Sequence, residues 1–269
     1  MARDAASGTV QACAGARQVA SIPRWALVGA ISLLALMPAA WAATDGPLTL
    51  RFSATSPGSN LPAGWKAYAM SRHRPAATLA IADEGGRSVF HIDANHAAGA
   101  IAHPLDLPAA TTLDWRWKVD HSVAAADLSK KSGDDFAARV YVFFDVPLSS
   151  LSWLQRMKLK VARRSLGHAI PTAALCYVWD NRNPVGSIST SPFSPQMHTI
   201  VLQSGNARAG TWQSQRRNLA ADFLVAFGRP APRITGIALS ADTDNTGGHV
   251  QAWFGDVTLT PAAAELPVR

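Results

Sequence analysis

GDDFAARVYVFFD, residues 133–145, alternates with the period of a β-strand. Phe136, Ala138, Val140, Val142 and Phe144 fall on one side, while Asp135, Ala137, Arg139, Tyr141, Phe143 and Asp145 fall on the other. The first side is purely apolar, as a packed core requires, whereas the second mixes a guanidinium, a phenol, a phenyl ring and carboxylates. The stretch reads as a central strand with one face for the core and one for another role.

The flanking sequence repeats this logic. Leu113, Trp115, Trp117 and Val119 alternate with Asp114, Arg116, Lys118 and Asp120, which predicts an amphipathic strand with both tryptophans inward. Shorter strands are expected at 48–52, 78–82, 88–93, 99–103, 175–179 and 199–203, separated by Gly, Asp and Asn punctuation such as Asp83-Glu84-Gly85-Gly86. Two more, at 234–241 and 250–260, flank a turn over 242–248. Asn218 is placed to cap a helix with Leu219, Phe223 and Phe227 at four-residue spacing, stopped at Gly228 ahead of Pro230. Between the central strand and residue 170, Val146 to Ala169 breaks the β pattern. There Leu151, Leu154, Met157, Val161 and Leu166 share one side of a helical wheel and Arg156, Lys160, Arg163 and Arg164 the other. Many short strands, one or two peripheral helices and no alternation of strand with helix predict an all-β, antiparallel two-sheet sandwich of jelly-roll type.

The N-terminus reads as a signal peptide over residues 1–42. Arg3, Arg17 and Arg24 lead into the uncharged run Trp25 to Met37, and Ala40-Trp41-Ala42 supplies a small-x-small cleavage site. The run is shorter than the roughly 20 apolar residues that span a bilayer. Cleavage near Ala42 leaves residues 43–269 as one β-sandwich domain in the periplasm or secreted. Residues 1–42 carry three Arg and one Asp, so the remainder keeps +5 of the formal +7 charge. Cys13 leaves with the signal and Cys176 stands alone, so stability must come from the core and not from an internal disulfide. Cys176 alternates with Ala174 and Val178 and reads as a buried small hydrophobe.

Catalytic signatures are missing from the sequence: it has no nucleophile elbow, phosphate loop, zinc-protease helix or paired-cysteine motif. The eight histidines show no recurring ligand spacing. Asp134 and Asp135 are adjacent, so on a strand they point to opposite faces and cannot act as a carboxylate pair. DTDNTG, residues 242–247, has the D-x-D spacing of a calcium loop's first half. An EF-hand needs a carboxylate at about the twelfth position, where Trp253 stands. Two readings stay open: a Ca2+ site using Asp242, Asp244 and Asp256, or an Asx-rich turn bonded to its own backbone. The cationic side of the 146–169 segment equally suits an anionic membrane surface, through Arg156, Lys160, Arg163 and Arg164, or an ordinary solvated helix face. No nucleic-acid partner is expected.

The polar-aromatic side of the strands is the main ligand candidate. Arg116 and Lys118, then Arg139, Tyr141 and Phe143, then Tyr177 and Trp179 alternate away from their strands' apolar sides. Rings offer flat surfaces and Arg offers fixed donors, so Asp135, Arg139, Tyr141, Tyr177 and Trp179 form the expected ligand-binding set. Internal packing of that face is the competing reading.

GDDFAAR at 133–139, YVWDN at 177–181, Pro184-Val185-Gly186, the 212–218 segment ending Arg217-Asn218, Asp222, Phe227-Gly228, DTDNTG at 242–247 and AWFGD at 252–256 together resemble a family of exported bacterial proteins known as domain of unknown function 3047. The resemblance covers nearly all of residues 43–269 and brings no activity with it. LPAGW at 61–65 and the AWFGDVTL ending are more loosely similar to jelly-roll carbohydrate-binding modules. The leading expectation is a non-catalytic binder of a glycan or other polar ligand. An alternative is a polysaccharide hydrolase or lyase using Asp135, Arg139, Tyr141, Asp242 and Asp244. A structural, envelope-associated protein is the third.

Overall fold

The computed structural model describes residues 46–68, 75–147 and 171–262, with single positions 149, 152, 153, 156 and 157. The proposed signal peptide lies outside the described residues, as do Lys160, Arg163 and Arg164 of the basic segment. Arg156 is described and exposed, and its amide donates to the Ser152 carbonyl at 2.9 Å, one helical hydrogen bond. No helix among the described residues is long and apolar enough to cross a membrane.

Two seven-stranded sheets make the fold. The first contains β1 (Leu48–Leu50), β14 (Val257–Pro261), β6 (Thr111–Val119), β13 (His249–Phe254), β4 (Ser88–Asn95) and β3 (Thr78–Asp83), with β11 (Gln213–Asn218) paired to β6. The second runs β2 (Lys66–Tyr68), β5 (Ala98–Leu107), β12 (Ile234–Asp242), β7 (Phe136–Phe144), β8 (Ala173–Asp180), β10 (Met197–Ser204) and β9 (Ile188–Thr190). Stacking the two gives the expected sandwich. Pairing is antiparallel except between β8 and β10. The exception follows from the short strand β9, which forms an antiparallel ladder with β10 and so turns it parallel to β8.

The helix α1 (Leu219–Phe227) forms as its sequence dictates. The Asn218 side chain accepts from the Ala221 amide at 3.0 Å, and Gly228 closes it in the left-handed region at φ 67°. Its buried face carries Phe223, whose ring lies 4.6 Å from Phe144 and 4.2 Å from Phe227. The helix thereby docks against the end of the sandwich core.

Between the sheets Trp115 and Trp117 point inward as expected, and Trp115 packs on Tyr177 and Trp117 on Trp179 at ring separations of 5.5 and 6.1 Å. Each such aromatic buries a large apolar area, and truncating one costs about 3–5 kcal/mol. The second sheet is covered on its outer face too. Phe136, Tyr141, Phe143, Cys176 and Val178 form a second buried cluster there with Leu128 from the 120–135 loop and Met197. Every residue of β7 and β8 is consequently buried.

Candidate functional site

The expected ligand set lies inside the protein. Asp135, Arg139, Tyr141, Tyr177 and Trp179 are all 0–2 % exposed, so none of them presents a surface to a ligand. Nor do they share a face. Arg139 pairs across the ladder with Val178 and Tyr141 with Cys176, which sends Tyr177 and Trp179 to the opposite side, into the space between the sheets. Alternation correctly separated two sides of each strand, but a register offset between β7 and β8 joins the polar side of one to the apolar side of the other. Phe136 also changes side. Arg139 lies opposite Ser240 and Phe136 opposite Asp242, so Ala137 and Ala138 bulge against the single residue Ala241 and the period breaks there.

The bulge builds a buried ionic network. Arg139 donates from Nε and Nη2 to the two oxygens of Asp242 at 3.1 and 2.5 Å, from Nη1 to Tyr141 at 3.0 Å, and from Nη2 to the Asp134 carbonyl at 2.5 Å. Its guanidinium carbon sits 4.3 Å from the Phe136 ring centroid. Burial works to lower the Arg139 pKa, but the charges of Asp134 and Asp242 outweigh it and hold the group well above its ordinary value. Tyr141 is pushed up by burial, and the Cys176 thiol beneath it is pushed up by burial to about 12, which keeps it protonated and inert. Tyr177 and Trp179 are satisfied separately: the Tyr177 hydroxyl donates to Asp222 at 2.7 Å and the Trp179 indole to the Gly205 carbonyl at 3.0 Å.

The 242–247 turn takes its order from Asp135. That carboxylate accepts from the Asn245 amide and side chain at 3.0 and 3.1 Å and from the Thr246 amide and hydroxyl at 2.6 and 2.7 Å. Asp135, Asp242 and Asp244 do bring one oxygen each within 4.8 Å of one another. The expected third ligand, Asp256, is elsewhere: it accepts from the Phe52 and Ser53 amides and the Ser53 hydroxyl at 2.8, 2.9 and 2.6 Å. With Arg139 and the Phe136 amide on Asp242 and four donors on Asp135, the oxygens of these two carboxylates are already turned to N–H and O–H groups. The donor set fits a self-bonded turn better than a hard cation, which would have to displace a guanidinium.

The outer face of the first sheet is open. Ala80, His91, Trp253 and Lys118 lie side by side on β3, β4, β13 and β6. The His91 ring stacks on Trp253 at 5.0 Å, and the Lys118 ammonium is 4.3 Å from the Trp253 centroid and 5.7 Å from that of Trp212. Arg116 lies over Trp212 at 4.4 Å. The result is a ladder of alternating rings and cations along one half-buried surface. Below it opens a cleft of about 320 Å³ lined by Arg87, Asp114, Arg116, Ser214, Gln215 and Asp256.

Gly255 makes this arrangement possible. It sits between β13 and β14, which pair with β6 on either side of it, and its amide donates to the Arg116 carbonyl at 2.9 Å. A Cβ there would come within 2.6 Å of both Cγ and Nε of Arg116. Only glycine leaves room for the side chain to reach across to Trp212. Of these residues the sequence reading picked out Arg116 and Lys118 as facing away from the core. The alternation of Val250, Ala252 and Phe254 with Gln251 and Trp253 held the signal for Trp253. Ser214 and Gln215 had no alternation signal, because they belong to a polar stretch that becomes a strand only by pairing with β6, and Trp212 just before it was marked only as part of the 212–218 segment of the family resemblance.

Solved structures align with this chain at low similarity. A family 29 carbohydrate-binding module in complex with mannohexaose aligns at TM-score 0.36 and 10 % identity, over 83 % of this chain and 96 % of its own. The K1 cleaved adhesin domain of Lys-gingipain from Porphyromonas gingivalis W83 aligns at TM-score 0.36 and 10 % identity, over 80 % and 98 %. An α-L-arabinofuranosidase with bound arabinose aligns at TM-score 0.40 and 8 % identity, over 81 % of this chain and 26 % of its own. No curated protein matches the sequence. A family profile described as Protein of unknown function (DUF3047) matches residues 63–258, the span that holds both sheets' central strands, the buried Arg139 network and the open cleft, and the chain belongs to that family.

Proposed function

We propose that this is an exported protein, periplasmic or secreted, that binds a glycan or similar polar ligand on the outer face of its first sheet without transforming it. The observation that carries the reading is the open cleft of about 320 Å³, lined by both polar and apolar surface, whose Arg116 lies over the indole of Trp212. A volume near 300 Å³ is at the small end of ligand sites, and sugar hydroxyls suit Asp, Arg and Ser side chains while their C–H faces suit an indole. The cleft carboxylates favour binding over hydrolysis. Asp114 accepts from Arg216 at 3.1 Å and Asp256 already takes three hydrogen bonds, so neither stands ready to move a proton.

Titration of the purified protein against a broad glycan panel tests the reading, with Trp212→Ala as the control. Trp212→Ala should weaken binding by about tenfold and leave the melting curve in place. Absence of any glycan binding, or release of shorter products from a bound polymer, would sink it. Export has its own check. Intact-mass measurement on protein from the native envelope should show a chain starting at Ala43, and a full-length chain held in the membrane would contradict this.

A further inference from the structure

We infer that the cleft reads an acidic sugar, with Arg116 and Arg87 receiving the carboxylate of a uronate unit. This rests on the glycan-binding reading and names its ligand class. Charge is left over in the cleft once every internal partner is counted. Arg87 and Arg116 both line the cleft, and among the described residues neither guanidinium donates a hydrogen bond to any group. The two carboxylates beside them are engaged elsewhere, Asp114 with Arg216 and Asp256 with the Phe52 and Ser53 donors. Lys118 is likewise committed, to Glu84. Counting Arg216 against Asp114, the cleft keeps the two cations Arg87 and Arg116 with unspent donors against the single unpaired charge of Asp256, whose lone pairs are taken up by neutral donors.

Arg116 is also held in place. The Gly255 backbone packed close to its side chain and the Trp212 ring 4.4 Å from its guanidinium carbon limit the positions the guanidinium can take. A forked donor edge matches a carboxylate in two parallel hydrogen bonds, which no neutral sugar offers. Ser214 on β11, paired directly with Arg116, supplies a neutral partner for the ring hydroxyls of the same unit. The cleft is half open to solvent, so the contact is one that salt weakens.

Calorimetric titration of the purified full-length protein with oligomers of galacturonate, glucuronate and mannuronate, against glucose oligomers of equal length, tests the inference. At least one uronate oligomer should bind about 10- to 100-fold more tightly than the neutral one, and the margin should shrink in about 0.5 M salt. Arg116→Gln should cut uronate affinity about tenfold more than it cuts neutral-glycan affinity, and so remove that margin. Should Arg116→Gln fail to fold, Arg87→Gln on the exposed side of the cleft should reduce the margin in its place. Equal affinity for charged and neutral oligomers, or a preference that survives in both variants, overturns the uronate assignment and leaves glycan binding standing. Oligoglutamate binding as tightly as the uronates also overturns it, because the cleft would then read charge alone. Failure of every oligomer removes the glycan reading itself.

Discussion

Replacing Arg139 by alanine should destabilise the native state by about 3–5 kcal/mol, the loss expected when one partner of a buried, hydrogen-bonded ion pair is removed. For a chain of this size that lowers the melting temperature by about 6–20 °C. The deficit arises mostly from what is left behind. Asp242 stays 5 % exposed with only the Phe136 amide among its three donors, and the Tyr141 hydroxyl and Asp134 carbonyl lose a charged donor as well. Burial pushes the Asp242 carboxyl up and the Arg139 charge opposes that, so deleting Arg139 raises it further. A group whose folded pKa lies above its unfolded value contributes stability at low pH that is lost as pH rises through the folded pKa. The deficit of the variant should therefore be smaller near pH 5 than near pH 8. Arg139→Met combined with Asp242→Leu removes both charges and should recover part of the loss. Chemical denaturation at the two pH values measures all of this, and a single variant within about 1 kcal/mol of the parent would refute the structural role.

Asp135→Asn should be nearly as damaging as Asp135→Ala, although it changes one atom. The Asp135 carboxylate is 0 % exposed and receives four donors from Asn245 and Thr246. An amide in its place turns one accepting oxygen into a second set of donors, which then face the N–H and O–H groups of the turn. Hydrogen bonds to a charged acceptor contribute about 1.5–3 kcal/mol each and are not additive, so a loss of about 3 kcal/mol is expected. The effect should be concentrated locally. Amide exchange at Asn245 and Thr246 should accelerate well beyond that of the β7 core, because the turn opens before the sheets do. If Asp135→Asn melts with the parent and its turn amides stay protected, the account of the turn is wrong.

Local pattern was enough to find most strands, the capped helix and the two-sheet architecture. Alternation over 113–119 and 136–144 reflects a backbone that sends neighbours to opposite faces, and Asn218 with Gly228 satisfies the helix ends by contacts within a few residues. The alternation singles out Asp135, Arg139, Tyr141, Tyr177 and Trp179 as one ligand-binding set, but the structure buries them and divides them between two faces. What the pattern could not carry was which partners these side chains meet. Whether a polar face meets solvent depends on distant segments, here the loop bearing Leu128 that packs over the outer face of the second sheet. The parity of β8 against β7, the bulge at Ala137 and Ala138, and the strand status of Gln213–Asn218 are decided by pairing across some tens of residues. The same holds for the open cleft. Arg87, Arg116, Ser214 and Asp256 come from four separate parts of the chain, and only the stacking of β6, β11 and the Gly255 junction brings them to one surface. A strand's own sequence sets its two sides, and the free energy of covering one of them, gained only when the whole sheet assembles, determines which side is left to bind.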